Sequence, residues 1–426
     1  MRVKNAGRSN RTRRDFLQST AVGLAGQAML AGKASARFQE TVRSSTATSP
    51  KATTDSDVGS LFPFIQSQAP RDFKLSYLRP EYKSVASWKK VARGKFFELL
   101  HYAPAPSNPR PETVEKVDCG DYVREKVYFN TTPDIRVPAF VLIPKNAPKP
   151  APAIVALHDH GGFYFWGKEK LVELDDVHPV LAKFKETSYS GKSIASDMAH
   201  QGYFVIVIDM FYWGERRLLL DDDPKDWRER PADITAERIR AFNQRASQNE
   251  QLLGRTIYAA GFTWSGVMYW DDIRTVDYLM TRPEVDKKRI GCVGLSVGGL
   301  RSCHLAALDD RIKVAVAVGW MTSFPAQLRK HIRNSVGFTK LVPGLYHYLD
   351  YPDVTSMAMP AAFLVINGSK DGLFDPDGVR ASFDKLNACY KKAGIQEKCR
   401  TRMYDTPHEF NTEMQAEAWE WLKKWL

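Results

Sequence analysis

The segment Ile290-Gly-Cys-Val-Gly294-Leu-Ser296-Val-Gly298-Gly299 sets a serine between two glycines directly after a short apolar run. A serine hydroxyl is a weak nucleophile until a base takes its proton, so the spacing matters for the backbone it demands. A buried strand that turns sharply into a helix leaves the serine in a strained conformation, and flanking glycines let neighbouring backbone pass close by. At the amino terminus of that helix, the dipole favours developing negative charge. Ser296 is the candidate nucleophile. It requires a base, and the base requires an acid to orient it. Of the nine histidines, His304 falls on the helix after Ser296 and His200 at a helix end before Gly202. His101, His178, His331 and His347 lie in helical or loop segments away from strand ends. His408, in Tyr404-Asp-Thr-Pro-His408-Glu-Phe, follows the last apolar run and precedes an amphipathic helix, which puts it at the same sheet edge as Ser296. The acid is expected after Phe363–Ile366, in Asn367-Gly-Ser-Lys-Asp371-Gly-Leu-Phe-Asp375. Asp371 is the first candidate and Asp375 the reserve, although Asp beside Gly is also an ordinary turn residue.

A fourth chemical element is His158-Asp-His-Gly-Gly162, directly after Ala153–Leu157. Its glycines let the backbone turn so that an N–H points at a reacting carbonyl oxygen, and Val297 would supply a second N–H. One such donor is worth ~10²–10³ in rate. The alternative is a metal site, since His-x-His at a strand end is also a ligand pattern; the later strand ends offer only His408 to complete it. Trp213-Gly-Glu-Arg216 follows another run and reads as the floor of the site, held by a Glu215–Arg216 network. Trp166, Trp213, Trp264 and Trp320 fall near expected strand ends, where they either stack on sugar rings or pack the covering segment. Both readings stay open.

These residues need a scaffold that delivers them to one edge. Residues 61–103 read as helical, residues 114–143 as extended antiparallel strands. After them, Ala153–Leu157, Phe204–Ile208, Ile290–Val293, Val314–Val318, Phe363–Ile366 and Thr401–Tyr404 alternate with helical segments. Short apolar runs separated by helices are what a parallel sheet buried on both faces requires. The expected fold class is α/β: one doubly wound, mostly parallel sheet with an antiparallel amino-terminal edge, spanning residues 61–426. The interval from Arg216 to Asp271 is too long for a simple crossover and reads as a helical insertion, a cap over the site.

Composition excludes several classes. At 43% hydrophobic and 26% charged residues, the 426-residue chain is neither disordered nor collagenous nor a coiled coil. Five cysteines without a Cys-x-x-Cys pair make no disulfide scaffold or zinc motif; Cys292 and Cys303 read as buried thiols, and Cys389 with Cys399 is the one pair considered for a bridge. No apolar run reaches the ~18 residues of a membrane span. Half of the +12 net charge sits in residues 1–36, which carry seven basic residues and one acid. The remainder has no Lys/Arg-rich run, so nucleic acid is not an expected partner. Within the first 36 residues, Thr12-Arg13-Arg14-Asp15-Phe16-Leu17 resembles a twin-arginine export signal, followed by a weakly apolar stretch and Ala34-Ser35-Ala36 as a cleavage site. That resemblance implies a periplasmic or secreted protein, handled by the export machinery and without a lipid anchor. Residues 37–60 read as a flexible linker.

Taken together, His158-Asp-His-Gly-Gly162, Asp209 with Trp213-Gly-Glu-Arg216, Gly294-Leu-Ser-Val-Gly298, Asp371 and His408 resemble the α/β-hydrolases of the dienelactone-hydrolase-related, acetyl-xylan-esterase-like branch. The order Ser296, Asp371, His408 is the chain order of that superfamily. The resemblance implies a Ser296–His408–Asp371 triad, oxyanion donors at the backbone of His160 and Val297, and no metal or organic cofactor. It implies a serine esterase acting on acyl, above all acetyl, esters of a carbohydrate or small molecule. The chain departs from the related acetyl esterases in having Asp159-His160 for Gly-Tyr and Val297 for Gln, changes that backbone donors tolerate. A prolyl-oligopeptidase-type serine peptidase and a non-catalytic carbohydrate-binding relative are the rival expectations.

Overall fold

The structure, a computed structural model, describes residues 61–426 apart from 71, 230, 232, 329 and 330. The expected export signal and linker lie outside the described residues. Nine strands form one sheet: β1 (Glu112–Asp118), β2 (Tyr122–Asn130), β3 (Arg136–Pro144), β4 (Ala151–Leu157), β5 (Phe204–Ile208), β6 (Val285–Leu295), β7 (Ile312–Val318), β8 (Ala362–Gly368) and β9 (Cys399–Tyr404). Their spatial order is β1-β2-β3-β5-β4-β6-β7-β8-β9. Pairings up to β3/β5 are antiparallel and all the others parallel, the mixed sheet expected from the sequence. β1 is a charged, exposed edge that discourages pairing with another chain.

The central strands are apolar throughout because both of their faces are covered. Successive side chains of a strand point to opposite faces. Thus Ala153, Val155 and Leu157 of β4, Ala315 and Ala317 of β7, and Phe363 and Val365 of β8 enter one core. Their neighbours Ile154, Ala156, Val314, Val316, Leu364 and Ile366 enter the other. The first core is closed by helices α1 (Val85–Leu100), α4 (Ala236–Ala259), α5 (Trp264–Thr281), α6 (Val297–Leu308) and α7 (Pro376–Lys392). α3 (Ile194–His200) and α8 (Thr412–Trp425) close the second, and Tyr189 at the end of α2 (Pro179–Tyr189) joins them. In α1 the buried Trp88, Ala92, Phe96 and Leu100 recur every four residues, one stripe along the helix.

Three details differ from the sequence reading. The region 61–103 is two helices, Leu61–Gln68 and α1, separated by a stretch holding Pro70 and Pro80. Within the interval 216–271, Thr263 caps α5 by accepting from the Gly266 N–H. α5 is the crossover helix into β6, so the extra segment ends where α5 begins. All five cysteines are free thiols, Cys389 and Cys399 included; burial pushes both of these up to about 12. No described helix is long and apolar enough to cross a membrane.

Candidate active site

β4 lies between β5, which leads toward β3, and β6, which leads toward β9. The chain therefore winds away in both directions from β4, and a crevice opens at the carboxyl ends of strands at such a switch point. The loops carrying the candidate residues leave from there.

At the β6–α6 turn, Ser296 has φ +59° and ψ −120°, a conformation costly for a non-glycine residue. Its N–H is fixed to the Val318 carbonyl at 2.8 Å. A Cβ on Gly298 would collide with the Leu157 carbonyl oxygen of β4, which is the physical reason for glycine at that place in the motif. Val297 opens α6, so its N–H has no acceptor within the helix.

His408 reaches the same strand end through paired loops. Ser369 N–H donates to the Tyr404 carbonyl at 2.7 Å and Lys370 N–H to Thr406 at 3.0 Å, stitching the turn after β8 to the turn after β9. His408 Nδ1 then meets Asp371 Oδ2 at 2.5 Å. The other Asp371 oxygen accepts the Leu373 N–H at 2.9 Å, and the carboxylate is buried. The His408 ring lies against Gly319, the residue after Val318; a Cβ there would stand 3.0 Å from His408 Cε1. Gly319 has φ +63°. Ser296 and His408 thus flank the end of β7, with no direct hydrogen bond between them. Asp375, the reserve candidate, accepts the Asp377 N–H at 2.9 Å and caps α7.

The loop after β4 is held from below. His158 is fully buried: its Nδ1 faces the Asp159 carbonyl at 2.8 Å, and its Nε2 accepts the Met210 N–H at 3.0 Å. That network assigns the proton to Nδ1. Burial, with Lys170 and Arg301 nearby, pushes this imidazole well below its ordinary pKa. The His160 ring accepts the Gly162 N–H at Nδ1 (3.0 Å) and faces Glu250 Oε1 from Nε2 (2.8 Å). All four ring nitrogens of His158 and His160 therefore have protein partners. Neither the His160 nor the Val297 backbone N–H has a protein acceptor among the described residues.

Sequence reasoning missed Glu250 and Asn243. Both come from α4, seven residues and two turns apart on one face. Glu250 takes the Tyr164 hydroxyl (2.8 Å) as well as His160, and Asn243 takes the N–H groups of Tyr164 and Phe165 at 2.8 and 2.9 Å. Burial would raise the Glu250 carboxyl, but His160 and Tyr164 together hold it below its usual range. A polar pair at i,i+7 beside buried Ile239, Phe242, Ala246 and Ile257 was the available signal.

The floor motif works differently from expectation. Glu215 accepts from Tyr128 Oη and from Lys168 Nζ, each at 2.5 Å, whereas Arg216 pairs with Asp271 at 2.7 Å and donates to the Asp209 carbonyl at 3.2 Å. Fully buried Asp209 takes the Lys168 N–H, the Lys168 ammonium and the Glu215 N–H at 2.7–2.9 Å. The four tryptophans also need correction as sugar platforms. Trp213 and Trp264 have no exposed surface, and Trp320 and Trp166 expose only 2% and 8%. Trp213 stacks on Tyr164 at 4.7 Å and donates its indole N–H to the His160 carbonyl at 3.2 Å; it is packing beneath the loop.

Comparison with known proteins agrees with this architecture. The model of the Abhydrolase family matches residues 65–223, and that of the dienelactone hydrolase family matches residues 186–346. A Bacillus subtilis (strain 168) protein named "Putative hydrolase YtaP" is 27% identical over 334 residues, 78% of this chain and 98% of its own length. Among solved structures, a "putative acetyl xylan esterase" from Bacteroides fragilis superposes with a TM-score of 0.62 at 18% identity, covering 83% of this chain and 84% of that one. A glucuronoyl esterase from Solibacter usitatus gives 0.56 at 13% identity, covering 84% and 99%. The fold is that of the α/β-hydrolases.

Proposed function

We propose that the chain is a serine-dependent carboxylic ester hydrolase whose substrate is an acyl ester, foremost an acetyl ester, of a carbohydrate. The observation that carries this reading is the 2.5 Å contact between His408 Nδ1 and Asp371, held against the strand end that also fixes Ser296 at positive φ. His408 Nε2 would take the Ser296 proton as the oxygen attacks the ester carbonyl, while Asp371 holds the imidazole in the required tautomer. The tetrahedral oxyanion would sit against the unpartnered N–H groups of Val297 and His160. Collapse expels the alcohol, protonated by His408, and leaves an acyl-Ser296. Water, deprotonated by His408, adds to that acyl group; the second collapse releases the acid and returns the proton to Ser296.

The carbohydrate assignment draws support from the esterases that share the fold. Export by the twin-arginine route to the periplasm or beyond is part of the same reading and rests on Arg13-Arg14 and Ala34-Ser35-Ala36. The test is turnover of p-nitrophenyl acetate and of an acetylated xylo-oligosaccharide by the wild type and by Ser296→Ala. The variant is expected to lose at least ~10³-fold in kcat. Equal turnover by the variant would remove Ser296 from the reaction, and turnover of prolyl amides in place of acetyl esters would make the chain a peptidase.

A further inference from the structure

Lys170 is buried without any exposed side-chain surface, an expensive place for an ammonium. Burial, its strongest influence, lowers its pKa despite the carboxylates around it. Its three donors have three acceptors, all within two residues of the loop after β4. They are the Asp159 carbonyl at 3.0 Å, the His160 carbonyl at 3.2 Å and Asp159 Oδ2 at 3.3 Å. The ammonium thus pairs with the Asp159 carboxylate and, beyond that ion pair, donates to two successive backbone carbonyls. That carboxylate is itself tied on its other oxygen to the Tyr189 hydroxyl at 2.6 Å. The Asp159 carbonyl receives a second donor, His158 Nδ1, at 2.8 Å.

Two donors on one carbonyl fix a peptide plane. In a trans peptide the C=O and the following N–H point to opposite sides. Drawing the Asp159 carbonyl toward Lys170 and His158 therefore turns the His160 N–H away from them. The next carbonyl, that of His160, is held by Lys170 and by the Trp213 indole, so the peptide on the far side of the His160 Cα is anchored as well. We infer that Lys170, with His158, is a positioning residue for the oxyanion hole: it sets the direction of the His160 N–H and never touches the substrate. The inference rests on the proposed role of that N–H as an oxyanion donor.

The experiment compares p-nitrophenyl acetate with its thiono counterpart, in which sulfur replaces the carbonyl oxygen and is a poor hydrogen-bond acceptor. Thermal melts check the folding of each variant. The wild type is expected to prefer the oxo ester strongly. Lys170→Met is expected to lower kcat on the oxo ester by ~10- to 100-fold, short of or equal to the loss of a whole donor, with KM moved less than about threefold. Its rate on the thiono ester should fall much less, so the oxo-over-thiono preference narrows. Should Lys170→Met fail to fold, Lys170→Met/Asp159→Asn, which leaves no unpaired buried charge, gives the same reading. Equal losses on both esters, a change in KM alone, or an unaltered preference in a folded variant would overturn the inference and leave the oxyanion reading intact. A wild type without any preference would overturn the oxyanion reading itself, and the inference with it.

Discussion

Asp371 and Asp375 stand four residues apart in one turn and do different work. Asp371 offers one oxygen to His408 and the other to the Leu373 N–H, so its carboxylate is buried and directional. Asp375 spends its side chain on the first turn of α7. Replacing Asp371 by Asn keeps the shape but presents the wrong hydrogen-bonding partner to the imidazole; kcat is expected to fall by up to ~10⁴ with little change in Tm. Asp375→Ala should cost about 1 kcal/mol of helix capping and a Tm drop of roughly 1–3 °C, with kcat nearly unchanged. The opposite pattern in the two variants would reverse the roles. At this scale the sequence was readable where chemistry imposes a local pattern. The glycines around Ser296 and the turn after Phe363–Ile366 are such patterns. Lys170 and Glu250 were not readable, because a buried lysine and a helical glutamate acquire meaning only from the backbone and imidazole they meet across the fold.

Between elements, the tie that matters for the site runs through Glu215. It joins β2, by way of Tyr128 and Lys126, to the loops after β4 and β5 through Lys168. Burial alone would raise this carboxyl, but Lys168 and the hydrogen bonds around it hold it down at about 2, against 4.5 ordinarily. A folded-state pKa below the unfolded one contributes stability that is fully present above pH ~4.5 and is lost as the pH falls toward 2. The contribution is roughly 3 kcal/mol. Unfolding free energy measured from pH 6 to pH 2.5 should therefore fall more steeply for the wild type than for Glu215→Gln, and the gap between the two should narrow over that window. Parallel curves would show that Glu215 carries no such linkage. The strands themselves were legible because burial on both faces leaves only apolar residues. The segment between β5 and α5 was legible as a helical insertion, but its partners were not: α4 sets Asn243 and Glu250 beside buried Ile239, Phe242 and Ala246, and only the fold brings that polar pair to the loop after β4.

Across the whole molecule, chain order and strand order explain why distant segments converge. β4 and β6 are neighbours although 127 residues separate the end of one from the start of the other. Gly298 lets α6 sit against the Leu157 carbonyl, which brings the two loops to one place. A cavity of about 1050 Å³ lies elsewhere, against α1 and the amino ends of β7 and β8. The proposed site rests on the convergence of Ser296, His408 and the loop after β4, not on cavity volume. The doubly wound class, though not the strand order, was recoverable from the alternation of runs and helices, because connections of this length leave few other topologies. The proposed reaction stands or falls with Ser296 as the nucleophile of this edge. Intact-mass and peptide mass spectrometry of the full chain after treatment with a fluorophosphonate tests it most directly. One phosphonyl group per chain is expected, on the peptide carrying Ser296, and none on Ser296→Ala. Labelling at another residue, or undiminished labelling of the variant, would contradict it.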